Sequence, residues 1–136
     1  MSNARDLADL LPIQSSDIKS ALNASGAAPI YACRAWVSFN GTQITNPASM
    51  TGVRGSGNVS SILDNGGNGD YIITFATAMP DTNYSCVIGH NTNDTAGAGR
   101  QVYVNSQATG NIQIIAKLDE SAAGVDLSII NLAIFR

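Results

Sequence analysis

Apolar and polar positions alternate with period two in CRAWVSF, residues 33–39: Cys33, Ala35, Val37 and Phe39 share one face, Arg34, Trp36 and Ser38 the other. The same period returns downstream. Tyr71, Ile73 and Phe75 oppose Ile72 and Thr74, and in NYSCVIG (83–89) Tyr84, Cys86 and Ile88 face inward. RQVYVN and NIQIIAKL form a hairpin across Thr109-Gly110. Val59 and Ile62 stand three apart, and a bulge between them puts both inside. DNGGNGD reads as a hairpin loop, because glycine supplies positive φ and Asn and Asp tolerate it. Residues 41–57 predict a long irregular excursion with at most a short strand around Gln43–Thr45. Met79-Pro80-Asp81 turns the chain, and residues 90–99 form a polar, small-residue loop. About eight strands at roughly ten-residue spacing predict an all-β antiparallel β-sandwich. The near absence of helical pattern between them excludes α/β layering.

The final stretch, VDLSIINLAIFR (125–136), reads as a last strand. Val125, Leu127 and Ile129 continue on one face to Ala133 and Phe135, which leaves Ile130, Leu132 and Ile134 on the other. A strand apolar on both sides needs a cover on its second face. An N-terminal helix or a neighbouring subunit supplies it, and the second option predicts a homo-oligomer with Ile130, Leu132 and Ile134 at the subunit interface. Ile72 and Ile115 add to the outward apolar count.

The first 25 residues follow a different period. Leu7, Leu10 and Leu11 stand at i, i+3, i+4 behind Ser2 or Asn3 as cap, and Pro12 ends that helix. Ser15 or Ser16 caps a second short helix carrying Ile18 and Leu22. Helices this short are marginal alone, so their apolar side chains need a surface. ASGAAP (24–29) reads as flexible linker. The expected organisation is an N-terminal helical anchoring segment over 1–25, a linker over 26–32 and a sandwich head over 33–136.

Composition narrows the function classes. The 136 residues amount to one domain and bury about two-thirds of their unfolded surface. Charged residues make up 12% of the chain, against about 25% in ordinary domains, which suits a part packed into an assembly. Net charge is −3 and the seven Lys and Arg are scattered, so nothing neutralises a phosphate backbone and nucleic acid is not an expected partner. No apolar run reaches the roughly 20 residues of a membrane span, and the N-terminus does not read as a signal peptide. The expectation is a chain made in the cytoplasm, with Cys33 and Cys86 as buried thiols.

Candidate chemistry is sparse. The single histidine, His90, ends a strand; Cys86 lies four residues away, about 13 Å along it, too far for a nucleophile–base pair. His90 reads as a surface residue, the sharper alternative being an axial metal site shared by three copies. The loop after Asp64 lacks calcium ligands at Gly66 and Phe75. Asp119-Glu120 and Asp64 with Asp70 sit in turns, without the apolar surroundings that make a glycosidase pair. The chain is therefore expected to be no enzyme and to need no metal or cofactor. Trp36 suits sugar or protein contact, or cover by a loop or sister chain.

RAWVSFNGTQI, followed by GNVSSILDNGGNGDYIITFATAMPDTNYSCVIG, resembles the fibre proteins of tailed bacteriophages over about residues 33–89. The strand RAWVSFNG, the hairpin NVSSI-turn-DYIITF and the stop AMPDTNYS carry the resemblance through their order and spacing. It implies the head of a virion fibre, commonly a homotrimer, meeting the host surface through its loops while an N-terminal segment docks on the tail or baseplate. The docking residues would be Leu7, Leu10, Leu11, Ile18 and Leu22. The contact residues, for a host glycan or protein, would be Trp36, Asn46, Met50, Arg54, His90, Asn91, Asn93, Asp94 and Arg100, on or beside the loops 45–57 and 91–99. TNPASMTGVRGSG is longer than the family's usual connection, and no long shaft is present. The alternative role is a capsid or baseplate decoration that recognises no host.

Overall fold

Alternation becomes structure in β1 (Cys33–Phe39), where Ala35, Val37 and Phe39 are buried and Trp36 is exposed. The computed structural model describes residues 32–91, 99–119 and 123–136. The expected helices, the linker, the five docking residues Leu7, Leu10, Leu11, Ile18 and Leu22, and Asn93 and Asp94 lie outside the described residues. Seven further strands follow: β2 (Val53–Gly57), β3 (Val59–Asp64), β4 (Asp70–Phe75), β5 (Ser85–His90), β6 (Arg100–Gln107), β7 (Asn111–Leu118) and β8 (Ile130–Phe135). Two antiparallel four-stranded sheets result, sheet A in the order β2-β1-β8-β5 and sheet B in the order β3-β4-β7-β6.

The core lies between the sheets. Val37, Phe39, Ile130, Leu132 and Ile134 come from sheet A, and Ile62, Tyr71, Ile73, Ile112 and Ile114 from sheet B. Phe39 meets Tyr71 edge-on with centroids 5.3 Å apart, and Phe75 meets Tyr84 likewise at 6.0 Å. Both are favoured aromatic geometries. Val59 and Ile62 both turn inward across a register shift, as their spacing predicts. Asn58 alone carries the chain from sheet A to sheet B. Its φ is +58°, in the left-handed region that Asn tolerates best among side-chain-bearing residues. Its Nδ2 donates to the carbonyls of Arg34 and Thr77, 3.0 Å each, and its Oδ1 accepts from the Thr77 N–H at 2.7 Å.

The excursion after β1 departs from expectation. Gly41–Gln43 is a 3-10 turn capped by the Asn40 side chain, and the strand comes later, at β2. The strand-like look of Gln43–Thr45 yields because Asn40 captures the Thr42 N–H at 3.2 Å. Farther on, Ser49 pairs with Ile62 and Thr45 accepts from the Asp64 N–H, so the excursion lies along the edge of β3 and occupies it.

The end of the chain overturns a second expectation. Ile130, Leu132 and Ile134 do not face outward; all three are buried in this chain's own core. The cause is a change of sheet. Gly124 bridges to Lys117 and the Val125 N–H donates to Ala116, both on β7 in sheet B. The chain then crosses to sheet A before β8 begins, with Leu127 buried on the way and Ile129 exposed. Crossing resets the pleat, so parity counted from Val125 fails at Ile130. The alternative phase would turn Asn131 into the core at a cost of about 1–3 kcal/mol for an unsatisfied amide. It would also forfeit about 1.5–3 kcal/mol for each large aliphatic left outside. Cys33 corrects a third expectation: it is exposed, while Cys86 is half-buried, and both are free thiols.

Candidate functional site

Because side chains alternate, the residues of sheet A between the buried ones form its outer face. Cross-strand register arranges them in rows. Gly57, Trp36, Ala133 and Val87 make one row across the four strands, and Gly55, Ser38, Asn131 and Gly89 the next. Trp36 is 46% exposed and Val87 61%. Between them runs an open groove of about 350 Å³ whose floor is Ser38, Ala133, Asn131 and Gly89.

Two glycines determine how Trp36 sits. A Cβ on Gly57 would come 2.4 Å from the indole Nε1 and 2.8 Å from Cδ1. A Cβ on Gly55 would come 3.2 Å from Cη2 and 3.4 Å from Cζ3. The indole therefore lies along the bare backbone of β2, its pyrrole ring over Gly57 and its benzo ring over Gly55. Any side chain at Gly57 would lift it. The ring is held on one side by its own sheet and open on the other.

The remaining candidates among the described residues fall elsewhere, and none of those lines this groove. Asn46 and Met50 are exposed on the excursion, with a cis bond between Asn46 and Pro47. Arg54 and Asn91 are structural ties: the Arg54 guanidinium donates to the Ser128 carbonyl, and Asn91 Nδ2 donates to Ser128 Oγ at 2.8 Å. Asn91 Oδ1 accepts from the Ile129 N–H at 3.0 Å. Together they shape the segment that leads into β8. His90 is half-buried with Nδ1 3.1 Å from the Asn91 carbonyl, and Arg100 is half-buried beside the Gly99 carbonyl. Of the seven contact candidates among the described residues, Trp36 alone belongs to the groove. Ser38, Val87, Gly89, Asn131 and Ala133 were missed. For Ser38, Val87 and Gly89 the signal was parity, each lying between inward-facing neighbours on β1 or β5; for Asn131 and Ala133 parity counted from Val125 points the wrong way.

No His, Cys, Asp, Glu, Lys or Arg lines the groove. Burial pushes the Cys86 thiol up to about 11, which keeps it protonated and a poor nucleophile. Burial, and then the hydrogen bond to Asp126, raises the Tyr71 phenol far above its ordinary value; Tyr71 donates to Asp126 Oδ1 at 2.6 Å. Burial also raises Tyr84, which donates to the Ala108 and Asn111 carbonyls and pins the β6–β7 hairpin to the start of β5. Among the described residues, no three His, Cys, Asp or Glu side chains gather where they could hold a metal ion. What the groove on this face offers is a surface: among its lining residues are one aromatic ring, one hydroxyl and one primary amide, and no charged side chain. Comparison with protein-family models, curated proteins and solved structures finds no match to this chain.

Proposed function

We propose that this chain is a bacteriophage virion fibre protein whose sandwich head binds the host cell surface, with binding and not catalysis as its work. The N-terminal 25 residues attach it to the tail or baseplate in this reading. The observation that supports the binding role is Trp36, shelved on Gly55 and Gly57 and left 46% exposed beside an open groove. A large aromatic side chain that a fold could cover but leaves open is characteristic of a recognition surface. The phage context rests on the resemblance of residues 33–89 alone. Trimeric assembly also rests on that resemblance, because Ile130, Leu132 and Ile134 are used within one chain. Three heads on one particle would multiply a weak contact into firm attachment.

The test uses particles. Antibodies raised against the chain should label virions. Virions carrying Trp36→Phe or Val87→Asp should adsorb to their host about tenfold more slowly. Unlabelled virions would refute the fibre assignment. Labelled virions with unchanged adsorption would mark the protein as a decoration without a recognition role.

A further inference from the structure

We infer that the groove on the outer face of sheet A takes an uncharged sugar, with a pyranose ring stacked on the open side of the Trp36 indole and its hydroxyls bonded to Ser38 and Asn131. This rests on the binding role proposed above and supplies its ligand class.

Ring chemistry comes first. The face of an indole is electron-rich, and the axial C–H edge of a pyranose presents weakly positive hydrogens to it. Such stacking needs a ring that is flat against its support and immobile, so that little freedom is lost on binding. The shelf of Gly55 and Gly57 provides that support. The second row then matters. Ser38 lies two residues along β1 from Trp36, and Asn131 is its cross-strand partner. A hydroxyl and a primary amide, each both donor and acceptor, suit the mixed donor–acceptor character of sugar hydroxyls. Gly89 and Ala133 keep the floor low enough for a ring to enter.

Charge selects among glycans. None of the residues lining the groove is charged. An anionic sugar would lose hydration there without meeting a counter-charge among the lining residues. Area argues against a second copy of the chain as occupant. At 46% exposure, a side chain able to bury about 250 Å² leaves about 115 Å² of Trp36 open. Val87 is the only other exposed large apolar side chain of the groove, and a stable interface covers about 800 Å² per partner.

Trp36 is the chain's one tryptophan, so its emission reports this site alone. The full-length chain is titrated with neutral oligosaccharides of glucose, galactose, mannose and N-acetylhexosamines, and in parallel with sialylated and uronic-acid oligosaccharides, up to about 10 mM. At least one neutral series should change the emission saturably, with Kd about 0.1–1 mM, and the anionic series should not. By calorimetry, Asn131→Ala should weaken that binding about threefold and Gly57→Ala, which lifts the indole, about tenfold, with far-UV circular dichroism unchanged. No saturable response to any neutral series overturns the inference, as does preference for the anionic sugars. Indifference to both substitutions also overturns it. So does Trp36 emission that shifts with protein concentration alongside a mass increase, which would assign the face to a second copy. If virion adsorption depends on Trp36 while no neutral sugar binds, this inference falls and the fibre reading stands. If virions lack the chain while a neutral sugar binds, the reverse holds.

Discussion

The two sheets turn different outer faces to their surroundings. On sheet B, Ile72 sits in register between Leu63 and Gln113, and Ile115 between Asp70 and Tyr103. Long polar side chains knit across them. Gln113 donates to Asp70 at 2.8 Å and accepts from Asn105 at 3.0 Å, and the Lys117 ammonium stands 5.8 Å over the Tyr103 ring. Those groups shield Ile72 and Ile115, which are only half-exposed. Sheet A has no such net. Glycines 55, 57 and 89, Ser38 and Ala133 surround one tryptophan with side chains too short to reach over it. Both faces carry apolar groups, yet one is covered from within and the other leaves its tryptophan open. Outward hydrophobicity is therefore a weak guide to an interface until the neighbours' side-chain lengths are counted.

The comparison requires Ala133, and not Ile134, to face outward on sheet A. Ile134→Ala should cost about 2–5 kcal/mol in urea unfolding, as buried truncations do. Ala133→Ser should stay within about 0.5 kcal/mol. The opposite ranking would return β8 to the phase read from sequence.

Next in size is the inner side of sheet B. Tyr71→Phe removes a hydrogen bond to the Asp126 carboxylate and should cost about 1.5–3 kcal/mol, the range for bonds to charged acceptors. Alkali probes the inner faces of both sheets. Tyr71, Tyr84 and Cys86 all have raised folded-state values, so the native state holds their protons more tightly than the unfolded chain. Their contribution is intact below the ordinary thiol and phenol values of about 8.5 and 10, and is lost as pH rises through the folded ones. Stability should be level from about pH 6 to 8 and fall above about pH 9, and Cys86→Ala with Tyr71→Phe should flatten the fall. A fall of the same steepness in that double variant would contradict the assignment.

The outer faces can be set against each other directly. Val87→Asp on sheet A should slow virion adsorption about tenfold, and Tyr103→Asp on sheet B should leave it within about twofold. Equal effects would erase the difference between the faces. Thiol reactivity gives a finer contrast within sheet A: a thiol reagent at pH 8 should modify Cys33 first and Cys86 only slowly. The smallest effect belongs to Asp81, where the Arg136 guanidinium holds the carboxyl below its usual range at the surface. Asp81→Asn should leave the urea midpoint unchanged at physiological salt, because exposed pairs are screened.

How far these features could be read in advance depended on whether a strand stayed within one sheet. β4 does, and Tyr71, Ile73 and Phe75 were assigned inward from parity alone. The segment before β8 changes sheet, and parity carried across that change inverted Ile130, Leu132 and Ile134. β2 is not legible in the sequence because VRGSG has almost no apolar content, and its two glycines are where Trp36 lies. The outward side of Trp36 was legible in CRAWVSF. The shelf beneath it was not, because two glycines in a loop-like stretch and a tryptophan about twenty residues away become neighbours only through the β1–β2 register. Arg54 and Asn91 looked like loop ligands for the same reason: their partners at Ser128 and Ile129 lie far along the chain.

The central claim is that the outer face of sheet A is open in the free protein and closed by its ligand. Acrylamide quenching of Trp36 in the full-length chain, alone and across the neutral oligosaccharide panel, addresses it most directly. The account predicts ready quenching in the free chain at every protein concentration and clear protection by at least one neutral sugar. A tryptophan already shielded in the free chain, or one quenched equally with every sugar present, would contradict it.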